Sequence, residues 1–85
     1  MSTNEITDKI RAIIAERTDF SEDDLAGRTA EKLNSDLGID SLTLLDVALS
    51  IDQEFDTEFT EEELFQMSSI DVATSMVEER LASKN

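Results

Sequence analysis

Between Ser41 and Phe55 apolar residues recur at helical spacing, and they do so on two faces. Leu44, Val47, Ala48, Ile51 and Phe55 share one face at intervals of three and four residues, the signature of a helix turned toward a core. Leu42, Leu45 and Leu49 form a second stripe, flanked by Asp46 and Asp52. A surface helix needs only one apolar stripe. The spacing predicts a helix from about Ser41 to Glu54. The second stripe is either the flank of a wide buried face or a surface that other molecules use.

The rest of the chain fits around this helix. Ile6, Ile10, Ile13 and Ile14 form one stripe of a first helix, with Ser2 and Glu5 placed for a capping box at its start. Residues 18–30 are polar and loop-like, with Phe20, Leu25 and Leu33 as anchors into the core. Thr60 and Glu63 form a second capping box before a short helix that turns Leu64 and Met67 inward. Ser68 or Ser69 caps a last helix striped by Ile70, Ala73, Met76, Val77 and Leu81. Asp71 suits its first turn and Arg80 and Lys84 its last, by the helix dipole. With no proline and two glycines, nothing interrupts these helices. The expectation is an all-α four-helix bundle, three longer helices and a short third, with a long loop between helices one and two. No linker or internal repeat divides residues 1–85, so one domain is expected.

Composition excludes several functions. The chain has no cysteine and no histidine, which removes thiolate chemistry, disulfides and the usual general base. Acidic residues number 21 against 7 basic, and from Leu33 to Glu79 no Lys or Arg occurs at all. Nucleic acid and anionic membranes would be repelled, and basic protein partners attracted. The first residues lack a signal-peptide pattern and no apolar run approaches about 18 residues, so a cytoplasmic monomer without membrane insertion is expected. Eighty-five residues offer a core but no enclosed catalytic cleft.

The loop before the central helix reads Asp36-Leu37-Gly38-Ile39-Asp40-Ser41-Leu42. Gly38 can take positive φ without steric cost, and Asp40 is a good N-cap. Together they put the Ser41 hydroxyl at the junction of loop and helix. By itself that is an ordinary helix-start serine. In this loop, before this helix, in an acidic chain of this length, the sequence resembles the acyl carrier proteins of dissociated (type II) fatty acid and polyketide synthesis. The likeness covers nearly the whole chain and extends to Glu54-Phe55-Asp56-Thr57-Glu58-Phe59 and to the pattern from Ile70 to Val77.

The resemblance implies a non-catalytic carrier. Its 4′-phosphopantetheine arm would be attached to Ser41, with Asp40 and Leu42 as motif neighbours, by a carrier protein transferase using coenzyme A. It further implies acyl thioesters delivered to acyltransferases, ketosynthases, reductases and dehydratases with basic docking patches. The matching recognition positions are Leu42, Leu45, Asp46, Leu49 and Asp52, which accounts for the second stripe. Three positions depart from many relatives. Thr43 stands where an acid is frequent, Leu33 where Phe is frequent, and Phe65 where a charge is frequent. An exposed Phe65 would be an apolar contact; a buried one would only reshape the core. These departures also fit a specialised carrier for polyketide, aminoacyl or modified-lipid synthesis.

Two readings from other classes compete. Asp52, Glu54, Asp56, Glu58 and Glu63 stand at EF-hand-like positions, but Thr57 occupies the place where the sharp turn calls for glycine. A plain interaction bundle would explain everything except the loop motif. A serine hydrolase has no histidine, and no lysine near Ser41, to activate the hydroxyl.

Overall fold

The computed structural model describes residues 1–83, which form five helices: α1 (Thr3–Arg17), α2 (Glu22–Ala26), α3 (Ser41–Glu54), α4 (Glu61–Phe65) and α5 (Ile70–Ala82). No strand occurs among the described residues. α1 is the hub, packing on α5, α2 and α3, while α4 packs on α3. The isoleucine stripe makes that possible: Ile6, Ile10 and Ile14 are sealed against Leu25, Ile51, Ile70 and Val77 in one core. Thr7 and Thr74 bridge α1 and α5 by a hydroxyl–hydroxyl hydrogen bond of 3.0 Å, satisfying a buried Thr74.

The helix starts follow the capping residues. Ser2 with Glu5 and Thr60 with Glu63 both close capping boxes, and Ser69, not Ser68, caps α5 by accepting from the Val72 N–H at 3.1 Å. The bundle expected from four helices gains a fifth. Part of the polar loop winds into α2, capped reciprocally by Ser21 and Asp24 and pinned by a fully buried Leu25. One turn is too short to show a periodicity, and helical spacing alone does not reveal it.

The remaining loop has no regular structure but is tied down. Leu33 N–H donates to the Ser68 carbonyl at 2.9 Å, Asp71 N–H to Thr29 at 3.0 Å, and Ile39 N–H to Leu33 at 3.0 Å. These bonds fix the segment that delivers Ser41. At the other end, Arg80 pairs with Glu63 at 2.6 Å, donates to the Glu58 carbonyl at 3.0 Å and lies over the Phe59 ring at 4.5 Å. It fastens α4 and the segment before it to α5. Lys84, expected in the last turn with Arg80, lies outside the described residues.

Candidate functional site

Gly38 takes φ +71°, with nothing within 4 Å of where a Cβ would stand, so the backbone alone dictates glycine there. The chain then turns into α3 through Asp40, whose carboxylate accepts from the Thr43 N–H at 2.8 Å. That bond, with Thr43 and Leu42 contacts behind it, holds the Asp40 carboxyl below the usual carboxylate range. Ser41 is the first residue of α3 and is exposed. Among the described residues its hydroxyl has no hydrogen-bond partner, so it is free to be modified. The amide donors of the first turn and the positive end of the helix dipole favour a phosphate ester on that oxygen.

The structure spreads the remaining sequence-derived positions along one side of α3. Leu42 is 81% exposed and Leu49 44%, a large apolar surface for a small domain. Leu45 is half-buried. So is Leu44, which the periodicity placed in the core; it packs on the core's edge, and both leucines line the same small cavity. Phe65 of α4 is 59% exposed and lines the same cavity with Leu64 and Met67, so it is not part of the core. The cavity, of about 80 Å³, is small against the roughly 300–1,000 Å³ of a ligand pocket. A wider groove, lined by Arg17, Phe20, Gly38, Asp40 and Thr43 among others, opens beside the loop.

The two acids expected to flank a recognition surface are engaged within the chain. Asp46 is exposed, but its Oδ2 lies 3.2 Å from the Nε of Arg17 on α1. Asp52 is half-buried and faces the turn after α3, where its carboxylate accepts from the Thr57 hydroxyl at 2.6 Å and the Phe59 N–H at 3.2 Å. Neither partner was visible from helical spacing. The EF-hand-like positions do not converge: no group of three or more His, Cys, Asp or Glu that could hold a metal ion occurs among the described residues.

Comparison with known proteins decides the family. The model of the phosphopantetheine attachment site matches residues 8–77. The chain is 30% identical to the acyl carrier protein of Coprothermobacter proteolyticus over 84 residues, covering 99% of this chain and 100% of that protein. The chain belongs to the acyl carrier protein family. It is also 28% identical over 80 residues to a chloroplastic acyl carrier protein of Brassica napus, covering 94% of this chain and 58% of that protein. A solved structure of the acyl carrier protein from Enterococcus faecalis superposes with a TM-score of 0.75 at 22% identity, over 94% of this chain and 99% of that one, which supports the fold. Acyl carrier proteins are non-catalytic, and the cofactor of the matched domain is phosphopantetheine. The residues around Ser41 fit such a group: an unbonded hydroxyl, a helix N-terminus and open space over Gly38. No described helix is long and apolar enough to cross a membrane.

Proposed function

We propose that this chain carries acyl intermediates as thioesters on a 4′-phosphopantetheine arm attached to Ser41 Oγ. It delivers them to enzymes of fatty acid or related lipid and polyketide synthesis in the cytoplasm. The observation that carries this reading is the exposed, unbonded Ser41 hydroxyl at the first position of α3, inside a matched attachment domain. The bound group supplies the thiol that a chain without cysteine lacks. The protein's own residues do the rest. Asp40 fixes the start of α3, Gly38 supplies the positive φ that turns the loop toward it, and Leu42, Leu45, Leu49 and Phe65 offer the surface on which the loading and acyl-transferring enzymes dock.

A carrier devoted to one specialised cargo is the second reading, favoured by the exposed Phe65 beside the Leu44–Leu45 cavity. Incubating the unmodified chain with coenzyme A and a broad-specificity carrier protein transferase should add the mass of one phosphopantetheine. The Ser41→Ala variant should add none, and a gain that survives the substitution would sink the proposal. Profiling the acyl thioesters on protein recovered from its host then separates the general carrier, with a ladder of fatty acyl lengths, from the specialised one.

A further inference from the structure

Each acid in and capping α3 already has an intramolecular partner. Asp40 caps the Thr43 amide, Asp52 holds Thr57 and Phe59, and Glu54 lies 3.2 Å from Lys9. Asp46 lies 3.2 Å from Arg17. The sequence from Leu33 to Glu79 supplies no cation, so both cations reach over from α1. Of these pairs, only Arg17–Asp46 lies within the exposed stripe, one helical turn from Leu42 and from Leu49. Arg17 is also steadied on its own helix, 3.4 Å from the Ile13 carbonyl and 3.4 Å from Glu16, and it lines the groove beside Asp40 and Thr43.

We propose that Arg17 is an internal competitor for Asp46 and sets how strongly a basic partner docks on α3. The inference rests on the carrier reading above. A surface presenting Lys or Arg beside an apolar contact for Leu42 complements this face in charge and chemistry, and the transferase that loads Ser41 must visit it. To pair with Asp46 that surface must first displace Arg17. An exposed ion pair of this kind changes affinity by about 1.4- to 5-fold, so Arg17 adjusts docking without abolishing it.

A double-mutant cycle on the unmodified full chain reads this directly. The readout is kcat/KM for coenzyme A-dependent loading by a broad-specificity carrier protein transferase, at low and high salt. Arg17→Gln should raise kcat/KM by about 1.4- to 5-fold at low salt, with the gain shrinking as salt screens the contact. In the Asp46→Asn background the same substitution should give no gain. Should Arg17→Gln not fold, Arg17→Lys, which keeps the charge on a more mobile stem, should show a smaller gain of the same sign and the same dependence on Asp46. A gain of equal size without Asp46 would mean that net charge alone acts, and would overturn the proposal; so would a loss of rate in Arg17→Gln. Light scattering showing a dimer that Leu42→Ala disperses would assign the face to a second copy instead, and also overturn it. A wild-type chain that takes no phosphopantetheine overturns the carrier reading itself, whereas loading without coupling between Arg17 and Asp46 overturns only the competitor role.

Discussion

Removing the Asp52 carboxylate should loosen the turn between α3 and α4. After α3 the chain passes through Asp56, a non-glycine residue at φ 51°, and then through a buried Thr57. Asp52 spans that turn with bonds of 2.6 Å to the Thr57 hydroxyl and 3.2 Å to the Phe59 N–H. Hydrogen bonds to a charged group contribute about 1.5–3 kcal/mol each. Because Asp52 is half-exposed and the Thr57 hydroxyl keeps a 3.4 Å contact to the Asp52 carbonyl, the two together are worth about 2–4 kcal/mol. A domain of this length has about 4–13 kcal/mol of stability in all, so the loss is a large share. At about 4–8 °C per kcal/mol, Asp52→Ala should melt about 8–32 °C lower by far-ultraviolet circular dichroism. Asp52→Asn, which still offers one acceptor oxygen, should lose about half as much. An Asp52→Ala midpoint within about 3 °C of wild type would refute the reasoning. The carboxylate would then be free for partners, as the family resemblance alone implies.

Two further perturbations address the loop and the caps. Gly38→Ala meets no steric obstacle but strains a backbone at φ +71°, so it should cost about 1–2 kcal/mol in urea unfolding, and Gly38→Asn should cost less because its side chain tolerates that region. Glu5, Asp24, Asp40 and Glu63 are held below their ordinary pKa, each chiefly by the backbone N–H it accepts from. Folded values below unfolded ones mean the caps stabilise the protein above the ordinary carboxylate range and fail as pH falls through the lowered values. The melting temperature should therefore hold from neutral to about pH 5 and fall below about pH 4, less steeply in Asp40→Asn.

Much of the fold could be read from local chemistry. The Ser2, Asp40, Thr60 and Ser69 caps announce their helices, and the isoleucine stripe of α1 identifies the core face, because both signals lie within a few residues of what they specify. α2 escaped because a single turn carries no period. The double stripe of α3 was legible as a pattern, and the exposure of Leu42 and Leu49 gives its second half a surface. What spacing could not supply was the state of the acids beside it. Arg17 reaches Asp46 only because α1 packs against α3, and Asp52 turns to Thr57 and Phe59 only because the chain reverses after Phe55. Both facts are tertiary. The place of Ser41 at the start of α3 was legible because Gly38 and Asp40, within three residues of it, fix the geometry of the loop.

The central claim is that one hydroxyl, on Ser41, carries the arm. Nearby hydroxyls on Ser35, Thr43 and Ser50 offer a direct internal comparison, and the Ser50 hydroxyl is already committed to the Asp46 carbonyl at 2.8 Å. Fragment-ion mass spectrometry of the peptide spanning these residues, taken from the loaded chain, places the added group to the residue. The account predicts phosphopantetheine on Ser41 alone. Finding it on Ser35, Thr43 or Ser50, or nowhere in the peptide, would contradict it.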